Sequence, residues 1–233
     1  MLQGFLHGYL PSILEGALMT LSVAICSLLI AVVLGLQGAA MKLSKSPVAR
    51  SLATVYTTVI RGVPDLILML LIFYGGQTAV NYLAPKLGYN DFIDINPFVA
   101  GVLTIGFIFG AYLTETFRGA LMAISPGQRE AGLAYGMSTM QIFFRITFPQ
   151  MLRFALPGFS NNWLVLIKST ALVSVIGLTD MMQKAGQAAG ATREPFTFYV
   201  AVAVLYLAFT SISIAALNRL EKRVNRGVRA VKL

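Results

Sequence analysis

The sequence is poor in reactive side chains. Its 233 residues include one cysteine, one histidine and nine acidic residues, and charged residues of both signs make up only 12% of the chain. A single thiol forms no disulfide within the chain, and Cys26 falls in an apolar run where it reads as a small hydrophobe. The lone His7 has no second metal ligand nearby. HExxH, CxxC and a Ser/His/Asp set are all missing, so most metal and nucleophilic chemistries lack their residues. No GxxxxGK[ST] or other phosphate-cradling loop occurs, which excludes ATP binding by that route. Neither a cofactor in this chain nor catalysis by it alone is expected. Tandem repeats, low-complexity linkers and soluble domain boundaries are also missing, so residues 1–233 read as a single helical unit.

What the chain has in excess is hydrophobicity: 57% of its residues are apolar and its mean hydropathy is +0.74. A soluble domain needs a more polar surface, so this is a membrane protein. A span needs roughly 20 apolar residues, and the longest run without a charge is Gly16 to Met41. Further candidates are about Asp65 to Leu83, preceded by an apolar Leu52 to Ile60, then Pro97 to Phe117, Phe154 to Asp180 and Pro195 to Leu217. All five are expected to be helices, because no alternating pattern supports a barrel and lipid leaves backbone groups no other partner. Pro97 and Pro195 stand where a helix start tolerates a missing N–H. The first run is too long for a signal peptide and no basic region precedes it, so it reads as a retained helix.

The net charge of +9 does not point to nucleic acid. With five alternating spans, thirteen of the eighteen basic residues fall on one side. They are Lys42, Lys45 and Arg50 after the first span; Arg118, Arg129, Arg145 and Arg153 around the third loop; and Arg219, Lys222, Arg223, Arg226, Arg229 and Lys232 in the tail. Lys86, Lys184 and Arg193 lie opposite. The positive-inside rule therefore expects a cytoplasmic C-terminus and an external N-terminus. Gly106 and Gly110 form a GxxxG on the third span, with Thr114 one turn on, which suits close helix packing within the protein.

One long polar segment interrupts this pattern: SPGQREAGLAYGMSTMQIFFRITFP, Ser125 to Pro149. Ser125-Pro126-Gly127-Gln128 reads as a capping box with Pro at the first helical position, and Gly136 as the left-handed stop of that helix. Ser138 to Gln141 reads as a second box, opening a helix that runs to Pro149. Ala131, Ala134 and Tyr135 share one face of the first helix, which is too short to be stable alone and so needs a surface to dock on. A cytoplasmic partner with a groove supplies one. A helix lying on the membrane would carry bulkier apolar residues and a more basic polar face.

Glu130-Ala131-Gly132, Gly136 after three more residues, Ile146 after nine more and then Phe148-Pro149 resemble the EAA loop of membrane subunits of ATP-binding-cassette importers. Arg61-Gly62-Val63-Pro64 and Ala111-Tyr112 through Glu115-Thr116-Phe117-Arg118-Gly119 resemble the paired motifs of the polar-amino-acid permeases, and the likeness spans nearly the whole chain. It is nearest to histidine and arginine/ornithine permeases. Gly132 departs from the usual second Ala, and Phe148 from the usual Leu. The resemblance implies a type I importer fold in which about residues 125–149 form the coupling segment, docking through Glu130, Ala131, Gly132, Gly136, Ile146 and Pro149. It further implies two ATP-binding subunits that hold ATP and Mg, a second homologous permease, an external substrate-binding protein and an amino-acid substrate, with this chain in the bacterial inner membrane.

Charges inside the bilayer are expensive and are examined first for function. Val63-Pro64 must break the second helix, leaving Asp65 in a restarted first turn. There it either pairs with Arg61 at the positive helix end or faces the pathway toward a cationic substrate; many members of the family carry an apolar residue at that position. Glu115 and Arg118 can pair at i, i+3 in a structural or gating role, with substrate contact second. Glu15 reads as a helix-end charge. On the fourth span Asn161 and Lys168 share a face, and Thr170 and Ser174 the opposite one. Asn161 and Lys168 are the expected cavity-lining pair, with Lys168 meeting a substrate carboxylate or neutralising Asp65 or Glu115. The competing readings are a secondary transporter or channel without an ATPase, which fits poorly with an absent internal repeat, and a non-transporting assembly factor.

Overall fold

A computed structural model describes residues 6–225; the tail cations Arg226, Arg229 and Lys232 lie outside the described residues. The helices are α1 (Leu10–Leu43), α2 (Pro47–Gly62), α3 (Asp65–Leu83), α4 (Pro97–Met122), α5 (Pro126–Ala134), α6 (Thr139–Ile142), α7 (Phe148–Ser169), α8 (Met181–Thr192) and α9 (Pro195–Val224). Five helical segments are long and apolar enough to cross a bilayer, beginning at Leu10, Asp65, Pro97, Thr139 and Pro195. The described residues contain no strand. Expectation and structure therefore agree on an all-α protein with five membrane helices.

Small residues place the two central helices against each other. Along α1 the buried positions include Gly16, Thr20, Ala24, Ser27, Ala31, Gly35 and Gly38, a three-to-four-residue spacing that marks one face. A Cβ on Gly106 of α4 would come 2.7 Å from Ile30, and one on Gly110 2.8 Å from Leu34. Gly38 is tighter still against Thr114. Ser27 Oγ donates across the seam to the Val102 carbonyl at 3.2 Å. Lipid provides no hydrophobic drive for helix pairing, so this close approach, dispersion and the hydrogen bond hold α1 to α4. The GxxxG thus packs inside the chain, as expected.

The break between α2 and α3 falls at extended Val63, with Pro64 preceding α3. The loop after α3 is fastened by two polar side chains of that helix. Asn81 accepts from the Ile93 N–H and donates to its carbonyl, both at 2.8 Å, and Gln77 accepts from Ile95 N at 2.9 Å.

Two expectations need correction. The helix opened by Ser138 does not end at Pro149. It continues through a π-turn, Phe143–Thr147, directly into α7. Phe148 N–H bonds the Phe143 carbonyl five residues back, and Pro149, having no N–H, asks nothing of the widened turn. Nor does the fourth span run as an α-helix to Asp180. It tightens at Thr170 into a 3-10 helix ending at Ile176, where Gly177 turns left-handed at φ +90°. Thr170 and Ser174 drive this locally by bonding carbonyls three residues back, at 2.7 Å each. Asp180 instead caps α8, accepting from Gln183 N at 2.9 Å. Sequence reading did not separate α8; it packs on α1, where a Cβ on Gly16 would meet the Met181 backbone at 2.8 Å.

Candidate functional site

Local hydrogen bonds fix the shape of the segment Ser125–Pro149 residue by residue. Gly136 takes φ +70°, and its N–H bonds the Leu133 carbonyl at 2.9 Å while Met137 N–H bonds Gly132 at 3.0 Å. These two bonds make a Schellman stop, as the glycine predicts. Ser138 forms the reciprocal box with Gln141, at 3.3 and 2.8 Å. Ser125 does not form the first box: it has extended backbone at the N-cap but its hydroxyl caps nothing, and Gln128 N–H bonds the Ser125 carbonyl instead at 3.1 Å. With Pro126 in the first turn, one amide already needs no partner.

Gly132 is the one buried residue of α5. A Cβ there would lie 2.9 Å from Ile142 and 3.1 Å from Ile146. The structure therefore places Gly132 and Ile146 beneath the segment, clamping α5 to the α6 and π-turn region, while Glu130, Ala131, Ala134 and Tyr135 stay exposed. Leu133 and Met140 add apolar surface at 51% and 66% exposure. Pro149 is exposed at the junction with α7.

A second polar site lies where α1, α2 and α4 meet, a cleft of about 440 Å³ lined by Lys42, Thr57, Arg61, Tyr112, Glu115 and Arg118. Glu115 accepts from Arg118 Nε at 2.9 Å, the expected i, i+3 pair, and also binds Lys42. By its place in the sequence Lys42 is only a topology charge. Because α1 runs on to Leu43, Lys42 falls in its last turn and reaches α4. Two expected pairings are absent among the described residues. Lys168 pairs with neither Asp65 nor Glu115, and Arg61 does not pair with Asp65. Arg61 lies over the Tyr112 ring at 5.4 Å, and Lys42 occupies the place foreseen for Lys168 at Glu115.

Asp65 opens α3 half-buried, with no hydrogen bond or ion pair from its side chain among the described residues. Asn161 and Lys168 are both exposed on α7. It is Asn162 that turns inward, donating to Thr116 Oγ1 at 2.9 Å, beside a close Gly158–Thr116 contact. Within this single chain Glu115 lines the cleft and Asp65 lies close enough to feel the cleft residue Tyr112, whereas Asn161 and Lys168 are exposed and do not line it. Nothing in the spacing distinguished Asn162 from Asn161, since adjacent residues on a helix differ by about 100° and either could face inward. Glu15 pairs with Lys184 at 2.8 Å, and His7 lies 3.3 Å from Glu194. No group of three His, Cys, Asp or Glu able to hold a metal occurs among the described residues.

Five apolar helices, a polar cleft where two of them meet α2, and a capped polar segment define a multi-pass membrane transport subunit. Residues 31–226 match the family described as binding-protein-dependent transport system inner membrane component, and the chain belongs to that family. It is 51% identical over 228 residues to the histidine/lysine/arginine/ornithine transport system permease protein HisQ of Escherichia coli (strain K12), covering 98% of this chain and 100% of that protein. It is 43% identical to the nopaline transport system permease protein NocQ of Agrobacterium fabrum, covering 96% and 95%. Its fold is similar to that in a crystal structure of an amino acid ABC transporter with histidines, at a TM-score of 0.78 and 32% identity, covering 92% of this chain and 95% of that one. The chain is thus an ABC permease subunit of the inner membrane.

Proposed function

We propose that this permease carries basic amino acids, the class that includes histidine, lysine, arginine and ornithine, into the cell. Two ATP-binding subunits, which hold ATP and Mg, drive it by docking on the segment Ser125–Pro149, and this chain hydrolyses nothing itself. A second homologous permease stands beside it and an external binding protein delivers the substrate. The observation that carries this reading is the rigid exposed platform of α5. A helix of nine residues, stopped by a Schellman turn and clamped through Gly132, transmits a push without absorbing it. The substrate class rests on the likeness to permeases named for cationic amino acids and on Asp65, a carboxylate without a cationic partner among the described residues. The exposed positions of Asn161 and Lys168 suit a pathway shared with the second permease rather than one bored through a single chain.

Orientation follows the charge bias: the end carrying Lys42, Arg145, Arg153 and Arg219 faces the cytoplasm. A cysteine at Asn225, in a Cys26-free background, should react with impermeant thiol reagent only once the inner face is opened. For the substrate class, Asp65→Asn removes charge but keeps shape. A charge-assisted contact is worth roughly 1.5–3 kcal/mol, so uptake of arginine or lysine should slow about tenfold or more while a neutral analogue is spared. Equal loss for both analogues would remove Asp65 from the pathway.

A further inference from the structure

Where α9 meets α7 and α1, the helices leave an apolar crevice of about 330 Å³. Leu36 of α1, Phe148, Met151, Leu152 and Phe159 of α7, and Leu220 of α9 form its walls. Leu36, Leu152 and Leu220 are 39%, 42% and 45% exposed, so the crevice opens at the side of the bundle and is not sealed core. It sits at the end of the molecule where α1, α4 and α9 finish and α7 begins. Any apolar helix surface meets lipid tails; the rim is what sets this one apart.

Leu220 is flanked on α9 by Arg219, Lys222 and Arg223, all exposed, and Arg153 follows Leu152 on α7 with its guanidinium 5.8 Å from the Phe154 ring centre. Among the described residues none of these four cations forms an ion pair, and Glu221, the carboxylate of the same stretch, pairs with none of them. Three further basic residues, Arg226, Arg229 and Lys232, follow in the sequence. An apolar slot whose wall residues Leu152 and Leu220 have Arg153, Arg219 and Arg223 within three positions in the chain matches a ligand with an apolar tail and an anionic head.

We propose that this crevice binds an anionic phospholipid of the adjoining leaflet, with an acyl chain between Leu36, Leu152 and Leu220 and the phosphate among Arg153, Arg219, Lys222 and Arg223. A zwitterionic lipid offers the same chain without net charge, so the rim selects for headgroup. If the cations served only to orient the protein, their number would matter and their placement beside a slot would confer no headgroup preference.

Native mass spectrometry separates these cases, using the full chain purified in the assembly it forms and offered equal phosphatidylglycerol and phosphatidylcholine after delipidation. The wild type should retain phosphatidylglycerol preferentially. Combined Arg219→Gln, Lys222→Gln and Arg223→Gln should lower that preference about tenfold or more. Leu220→Trp, which narrows the slot, should weaken retention of both lipids. All four substitutions fall at exposed positions and leave the packed seam intact. Equal retention of the two lipids by the wild type, or an unchanged preference in the charge variant, overturns the proposal. So does efficient cross-linking of Leu220→Cys to a neighbouring subunit, which would make the crevice a protein interface.

Discussion

Helices α4 and α9 are both apolar enough to cross a bilayer, yet α4 buries fourteen of its 26 residues and α9 only Phe198 and Val202 of its 30. Hydrophobicity alone therefore inserts a helix without deciding its neighbours. The difference lies in small residues. Gly101, Gly106, Gly110 and Thr114 let α4 sit against α1 and the 3-10 segment, whereas α9 has no glycine and presents Val204, Leu207 and Ile212 outward at 59%, 65% and 69% exposure. The seam also carries the charges: Glu115 of α4 joins Lys42 of α1, while the cations of α9 stand at its end without ion-pair partners among the described residues. Close packing and the least exposed ion pair thus concentrate at the α1–α4 seam, whereas α9 keeps most of its surface turned outward.

Removing the charged tie should produce the largest effect on this contrast. Glu115→Gln leaves Lys42 and Arg118 without their carboxylate at a site where Lys42 is only 12% exposed. Breaking such a pair should cost about 3 kcal/mol, the lower end for buried pairs because the cleft admits water. Thermal unfolding in detergent would register it; an unchanged midpoint would show the cleft to be as wet as bulk solvent. Next comes overpacking. Gly106→Leu forces a side chain into Ile30 and toward the Ser27 carbonyl, 3.2 Å from the new Cβ, and should destabilise by about 2 kcal/mol. Ala203→Leu, on the exposed side of α9, should be nearly neutral. Equal losses from the two would erase the distinction between the helices.

A third test concerns Gly136, whose Cβ would meet nothing within 4 Å, so only its backbone conformation is at stake. Gly136→Leu should strain the left-handed stop by about 1–2 kcal/mol and uncouple ATPase stimulation from transport with insertion intact. Gly136→Asn should do less, since Asn tolerates that region. Full stimulation in the leucine variant would refute the rigid-platform reading. A pH-dependent effect is expected at the α1–α8 contact. Burial raises the Asp180 carboxyl from 3.8 to about 6, against the hydrogen bonds it accepts from backbone amides. A group whose folded value is raised favours folding most below about 3.8, and that advantage is lost as pH rises through about 6. Wild-type unfolding temperature should drift down across that window, and Asp180→Asn, which keeps the cap acceptor, should flatten the drift. Parallel slopes would mean that water reaches the site.

The spans are legible as unbroken apolar runs, and the Pro64 break, the Gly136 stop, the Ser138 box and the Glu115–Arg118 pair because each depends on residues within four or five positions of one another. The same locality explains the errors. Capping propensity at Ser125 was real in the backbone, yet its hydroxyl went unused because the Gln128 amide bonds the Ser125 carbonyl instead. Pro149 read as a stop only because a π-turn, which absorbs a proline, leaves no simple period. The tertiary structure alone decided that Lys42 rather than Lys168 answers Glu115, that Arg61 rests on Tyr112 and not on Asp65, and that Asn162 rather than Asn161 meets Thr116. Those contacts join residues 46 to 73 positions apart on helices whose rotation about their own axes is set by close packing at glycine. In a chain apolar on nearly every face, the hydrophobic pattern that orients a helix in water carries almost no such information.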